Sequence, residues 1–285
     1  MTTQTLIAPY LSGLDGQPGK RWEGTGRVKP WDRPVTATFA HLETPDLVGA
    51  VIGLLRLQTV RPHIIVVDTG STQETCDQLE QHRADDVEIH YIRSHGYLHS
   101  SAPVAVACDL AQALCTTEYL FLTHVDCFLR NRSYIEERLA QCDQQHPVVG
   151  YQMSPRGGTD QWRGMVSHTA TVLHMPTWHR LGITWSFQRT LADFDMTTSG
   201  VGWPDTETGV NLQLRALGVA PVLIGDETNY ERHIDANIDH CRSYPVSQLY
   251  LPDYHRDAQQ WVDAALVEAY ARIDEWSACP VQHRT

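Results

Sequence analysis

The chain has 285 residues, of which 42% are hydrophobic and 20% charged, the balance of a soluble globular protein with room for a substantial core. Its 22 Lys and Arg against 34 Asp and Glu leave a formal net charge of -12. Such a surface repels the phosphates of nucleic acid and of anionic bilayers, and leaves room only for a small basic pocket suited to a phosphorylated ligand.

Residues 1–34 are rich in Gly, Pro and charge and have no periodicity, which reads as an extended arm draped on the domain or partly disordered. From Val35 the pattern changes. "VTATFAH" (35–41) is a short β-branched strand, and Pro45 then opens a helix with Leu47, Val48, Val51, Ile52 and Leu55 on one face. "HIIVVD" (63–68) is a buried strand ending in Asp68, followed by Thr-Gly-Ser-Thr as turn and cap and a polar helix to about Ala84. "VEIHYI" (87–92) predicts a strand, residues 102–115 a helix, and residues 118–123 a further strand that stops at His124-Val125-Asp126. Strand and helix alternate without hairpin turns, so βαβ units and a mainly parallel sheet are expected. Ligands of such sheets sit beyond the carboxyl ends of the strands, where Asp68 and the His124/Asp126 pair both fall.

After about residue 150 the alternation loosens. Residues 166–175 ("VSHTATVLHM") read as a strand and Pro176 to Leu181 as a short helix. "WPDTETGVNLQLRALG" (203–218) is a loop turning into a helix that ends at Gly218, and "APVLIG" (220–225) is another strand. The last helix, 256–276, has Val262, Leu266, Ala269, Tyr270 and Ile273 on its inward face. No repeat and no clean linker interrupts the chain, so one domain with a second lobe is expected.

These pieces, in this order, resemble the GT-A glycosyltransferases, most closely the large family 2 of inverting enzymes. "VVDTGST" (66–72) resembles the family's strand end "DDGST". "TEYLFLTHVDCFL" (117–129) resembles "GEYIxFLDADDWL", which lays His124-Val125-Asp126 on the metal-binding DxD. "VLHMPTWHRLG" (172–182) is similar to the segment after the central strands, and "PDTETGVNLQLRALG" (204–218) resembles "GEDxELxLRLRxxG". The resemblance covers roughly residues 35 to 240. It implies an α/β GT-A fold with a mainly parallel sheet flanked by helices, a nucleotide-binding half (35–130) and an acceptor-binding half (131–285). The departures are local: His124 replaces the first carboxylate of DxD, the usual aspartate pair is reduced to Asp68, and Glu207 stands where aspartate is common.

The resemblance implies a metal-dependent, inverting transfer from a nucleotide-diphosphate sugar to a hydroxyl. A departing diphosphate gathers negative charge that a divalent cation beside Asp126 stabilises. His124 adds an imidazole ligand, or hydrogen-bonds the ribose or a metal-bound water; imidazole with carboxylate favours Mn²⁺ over Mg²⁺. A late histidine is often a third ligand in this family, and His233 sits at the corresponding place, with His240 seven residues on and able to share a helical face with it. Glu207 falls on the catalytic carboxylate, and Asp205 is close enough to take the same role as base. Glu207 also heads a helix, where the backbone dipole favours an anion for stability alone. Asp68 can accept from uracil N3 or hold the ribose, implying a UDP-sugar, and Ala40, His41 and Glu43 line the base pocket. Arg156 and Arg163, in a Gly-rich loop, are candidates for pairing with phosphate or acceptor. Trp203 is a candidate stacking platform for an acceptor ring.

Seven cysteines form no CxxC pair and an odd count does not close into a full disulfide set, so a reduced, cytoplasmic protein is expected, with Cys127 as packing. No apolar run approaches the ~18 residues of a membrane span, and the amino end lacks a signal-peptide pattern. The acceptor is therefore expected to be soluble or transiently docked: a small molecule, peptide or glycan. Other nucleotide enzymes fit less well, since GxGxxG and GxxxxGK[ST] are missing, and no HExxH supports a zinc hydrolase despite 15 histidines. The remaining alternative is a GT-A fold without catalysis that binds a sugar nucleotide or scaffolds a partner, which the altered DxD favours.

Overall fold

A computed structural model describes residues 21–23, 34–93, 101–153, 163–185, 206–226, 237–241 and 258–279. Its centre is an eight-stranded sheet in the order β1-β4-β3-β2-β5-β8-β7-β9. The strands are β1 (Arg21–Glu23), β2 (Val35–His41), β3 (His63–Asp68), β4 (Val87–Arg93), β5 (Tyr119–His124), β7 (Val148–Gln152), β8 (Thr171–His174) and β9 (Val222–Asp226). β2 to β5 are mutually parallel, β8 runs against both β5 and β7, and β9 is parallel to β7. A separate antiparallel ribbon joins β6 (Cys127–Leu129) to β10 (Ile238–His240). Part of the amino-terminal arm is built into the sheet: β1 pairs antiparallel with the β4 edge. Extending that edge covers backbone groups that would otherwise be open for pairing.

The central strands read as unbroken apolar runs because helices cover both their faces. Every residue of β3 is buried. On one face, β2 residues Val35, Ala37 and Phe39 pack with α1 (Pro45–Arg56) and α7 (Ala258–Ala278). On the other, Ile65 and Val67 meet Val106, Leu110 and Leu114 of α3 (Ser101–Leu114). Farther along that face, Leu120 and Leu122 meet Trp178 of α5 (Met175–Leu181) and Val210 and Leu214 of α6 (Thr208–Ala216). α1 begins at Pro45, whose missing N–H costs nothing in a first turn. The remaining helices are α2 (Gln73–Glu80), capped by Thr72, and α4 (Tyr134–Leu139). Among the described residues no helix is long and apolar enough to cross a membrane.

Three expectations need correction. α2 stops at Glu80, and the chain turns back through an Ala84–Val87 bridge instead of continuing as helix to residue 84. Residues 166–175 are not one strand: Val166 makes a lone bridge to Gln152, residues 168–170 turn, and only Thr171–His174 forms β8. Tyr270 is 47% exposed, whereas Val262 and Ala269 do face the core of α7. Its ring lies at the edge of the helix contact, with the hydroxyl beside Gly49 of α1.

The turn before β8 is held tightly. Thr171 Oγ1 donates to the Ser167 carbonyl (2.6 Å), Ser167 Oγ accepts from the Thr169 N–H (3.1 Å), and Tyr134 Oη donates to the Ala170 carbonyl (3.0 Å). Ala170 itself has φ 50°, a left-handed conformation that an L-residue adopts only under surrounding constraint. Gly150 of β7 makes room for this turn, since a Cβ there would overlap Thr171 Oγ1 and come within 2.8 Å of Val166. Gly150→Ala is therefore expected to destabilise the fold by about 1–3 kcal/mol. A denaturant midpoint equal to that of the wild type would contradict this account.

Candidate active site

The strand ends meet at one edge of the sheet. Ala40 is the register partner of His124, and His41 that of Asp68, so β3, β2 and β5 deliver their last residues side by side. Two groups of polar side chains arise there.

The first ties the β2 and β3 ends together. His41 Nδ1 donates to Asp68 Oδ2 (2.8 Å), and His41 Nε2 accepts from the Thr44 N–H (3.2 Å). Asp68 also accepts from the Ser71 hydroxyl and from the Gly70 and Ser71 N–H groups. Both side chains of the His41–Asp68 pair are fully out of solvent. Burial alone would raise the Asp68 pKa, but the bonds from His41 and Ser71 outweigh it and hold the carboxyl below its ordinary range. Glu43, at φ 52°, receives the Thr72 N–H and the Thr75 hydroxyl, so it fastens the start of α2. The acceptor capacity of Asp68 is thus directed into the protein's own loop.

The second group gathers at the end of β5. His124 Nδ1 and His240 Nε2 lie 3.0 Å apart, one imidazole N–H between them. Asp126 Oδ1 is 3.9 Å from His124 Nδ1 and 3.7 Å from His240 Nε2. These three donor atoms lie within 4.8 Å of one another, a compact set for a metal ion. Burial and the neighbouring charges of His168 and His240 push the His124 pKa well down, which keeps its imidazole in the neutral form that ligates cations. Its Nε2 is buried without a hydrogen-bond partner. Local structure explains the convergence. The chain turns at Val125-Asp126 into β6, and β10 pairs with β6 so that His240 stands opposite Cys127. The Cys241 N–H donates to the Asp126 carbonyl (3.0 Å), and the buried Asp239 meets Arg130 and Arg272, the latter on α7. Cys127 is itself buried in the core, in keeping with a packing role.

Beside this triad, His168 Nδ1 donates to Glu207 Oε2 (2.9 Å), and the His168 ring centroid lies 4.1 Å from that of His124. Glu207 stands at the N-cap of α6, yet its side chain makes no cap bond to that helix. Asn211 joins the two segments: its amide accepts from the Val166 N–H (2.8 Å) and donates to the Val166 and Glu207 carbonyls. The Trp185 ring lies 6.1 Å from that of His168, and the Trp185 backbone N–H donates to Asp109 of α3 (2.8 Å).

Of the residues anticipated from sequence, His124, Asp126 and Glu207 come together here, with Ala40 adjacent. His240 does too, but from a strand and not from a helical face shared with His233. Asp205, Arg156, Trp203 and His233 lie outside the described residues. Arg163 is exposed, its carbonyl accepting from Arg215 of α6. His168, Asn211 and Trp185 were not anticipated. The signal for His168 was "SHTA", whose small polar residues break the β-branched run and mark a turn.

A family model described as "Glycosyl transferase family 2" matches residues 39–197, more than half of the chain. No curated protein sequence matches. Among solved structures, an active-site mutant of LgtC is similar at 12% identity, over 83% of this chain and 95% of that one, with a TM-score of 0.52. The mannosyltransferase PcManGT from Pyrobaculum calidifontis, solved with GDP-Man and Mn²⁺, aligns over 97% of this chain and 85% of that one at 14% identity and a TM-score of 0.47. S. aureus TarS aligns over 83% of this chain at 11% identity and a TM-score of 0.44, and the chain spans 43% of its length. The likeness to LgtC is one of fold, and it agrees with the sheet order and flanking helices of the GT-A architecture. By the family model that spans its strand-end motifs, the chain belongs to glycosyl transferase family 2.

Proposed function

We propose that this glycosyltransferase moves a sugar from a nucleotide-diphosphate donor, with uridine as the nucleoside, to a hydroxyl acceptor by a single inverting displacement assisted by a divalent cation. The observation that carries the reading is the juxtaposition of the His124–Asp126–His240 triad with the His168–Glu207 pair at the carboxyl end of β5.

The donor set fits a divalent metal: two imidazole nitrogens and one carboxylate oxygen converge within 4.8 Å. His124, Asp126 and His240 would hold the ion, and imidazole donors favour Mn²⁺ over Mg²⁺. When bound, the cation supplies electrostatic stabilisation for the leaving diphosphate. The protein's own residues do the rest. Glu207, oriented by His168, takes the proton from the acceptor hydroxyl as the new glycosidic bond forms, and attack from the side opposite the diphosphate inverts the anomeric centre. Ala40, His41 and Glu43 form the nucleoside edge, and Asp68 serves it from behind by fixing the 69–72 loop. Asp205, Arg156, Arg163, Trp203 and His233 belong to the proposal as further base, phosphate, acceptor and ligand candidates.

The nucleotide half is 35–130, the acceptor half 131–285, and residues 1–34 an arm. The acceptor is a soluble small molecule, peptide or glycan, and the setting a reducing cytoplasm, consistent with six buried thiols.

A thermal-shift panel of UDP-, GDP- and dTDP-sugars with and without Mn²⁺, followed by turnover assays, tests this reading. A UDP-sugar is expected to stabilise the protein most, and more with Mn²⁺. Glu207→Gln is expected to retain that stabilisation while losing about 100-fold or more in kcat. Donor binding without turnover in the wild type would instead support a non-catalytic binding protein.

A further inference from the structure

The geometry points to His168 as a positioning residue for transfer: we infer that it aims the Glu207 carboxylate while its ring backs the cation ligand His124. The inference rests on Glu207 being the base.

A carboxylate only accepts hydrogen bonds, so the imidazole nitrogen 2.9 Å from Glu207 Oε2 must carry the proton. Nδ1 is therefore the donor whatever the state of the other nitrogen. His168 is 7% exposed and Glu207 4%, so little water competes for the bond. The ring has little freedom to move. It lies within the tied turn at Ser167–Thr171, its centroid 4.1 Å from that of His124 and 6.1 Å from that of Trp185. Asn211 fixes the start of α6 relative to Val166, so donor and acceptor backbones are stapled as well. Glu207 forgoes a side-chain cap on α6, a bond that typically stabilises a helix by about 1 kcal/mol. Its carboxylate points at an imidazole that also touches a metal-ligand candidate. One side chain thus sets the base relative to the site of the leaving group, and a misplacement of about 1 Å in such an arrangement costs on the order of 100-fold.

The test compares His168→Ala, His168→Asn and His168→Phe in steady-state kinetics. Alanine is expected to lower kcat about 10- to 100-fold with the donor KM changed less than about threefold. Asparagine, whose amide N–H stands in for Nδ1–H, is expected to recover most of that loss. Phenylalanine, which keeps the ring contact without the donor, is expected to remain as low as alanine. Recovery by phenylalanine but not asparagine would overturn the inference in favour of packing, and so would an unchanged kcat in the asparagine and phenylalanine variants, the pair that decides if alanine does not fold. A proton NMR spectrum supplies a readout apart from turnover: a strongly deshielded imidazole N–H is expected in the wild type, absent in His168→Phe and moved upfield in Glu207→Gln. Full activity in Glu207→Gln would remove the base assignment itself. Impaired Glu207→Gln beside fully active His168 variants would remove only this inference.

Discussion

Asp126→Ala is expected to lower sugar transfer by about 1,000-fold and to remove Mn²⁺ binding at micromolar concentrations. The magnitude follows from the loss of charge where charge develops, since a single preorganised electrostatic group is worth about 10²- to 10³-fold. Asp126 is the sole carboxylate of the triad, and it is 1% exposed. Without it, two imidazoles remain, one already bonded to the other, and neither carries a negative charge to offset that of a divalent cation. Asp126→Asn separates charge from shape: it retains one oxygen donor at the same distance and is expected to fall nearly as far. His240→Ala is the milder change, leaving the carboxylate and His124 in place. Mn²⁺ electron paramagnetic resonance titration with parallel kinetics checks both quantities. Wild-type Mn²⁺ affinity and kcat in Asp126→Ala would dismiss the triad as the cation site.

The parts of this site that could be read from the chain are those set by local pattern. "HIIVVD" and "YLFLTH" are continuous apolar runs, as strands covered on both faces must be, and their ends locate Asp68 and His124 without further information. The parts that escaped depend on pairing between distant segments. His240 sits on a three-residue strand, too short for any periodicity, whose existence depends on β6 more than 100 residues earlier. A spacing of seven from His233 invited a helical reading that pairing overrides. His168 was hidden because a turn with Ala170 at positive φ interrupts what reads as one β-branched run. Tyr270 followed the helical period of α7, but it lies at the edge of the contact with α1, its hydroxyl beside Gly49, and stays half exposed. At Glu207, sequence could not separate a helix-capping carboxylate from one aimed at another side chain, because both occupy the same position before "TGVNLQLRA".

Asp68→Ala is expected to destabilise the protein by about 3 kcal/mol or more, since the His41 imidazole and the other buried donors lose their shared acceptor, at about 1–3 kcal/mol each. Both partners have no exposed side-chain surface, so water cannot replace what is lost. The His41 Nδ1–H, the Ser71 hydroxyl and two backbone N–H groups would all lose their acceptor together. Asp68→Asn keeps the shape and two acceptor lone pairs and is expected to cost less. The same network sets an acid dependence. The folded carboxyl titrates below its ordinary value of 3.8, because donated bonds outweigh the opposing effect of burial. A depressed folded pKa means that the pair's contribution is fully present above the unfolded value and is lost as pH falls through the folded one. Melting temperature followed from pH 7 to pH 3 should therefore decline below about pH 4 in the wild type, and decline less in Asp68→Asn. Parallel curves for the two proteins would show that acid stability is set elsewhere. Because the bonds from Gly70 and Ser71 shape the loop that also carries Thr72 against Glu43, the loss of stability should be accompanied by weaker donor binding, with kcat at saturating donor nearly unchanged. That split between KM and kcat is the opposite of the one expected at Glu207, and it distinguishes a residue that builds the nucleoside edge from one that acts on the acceptor.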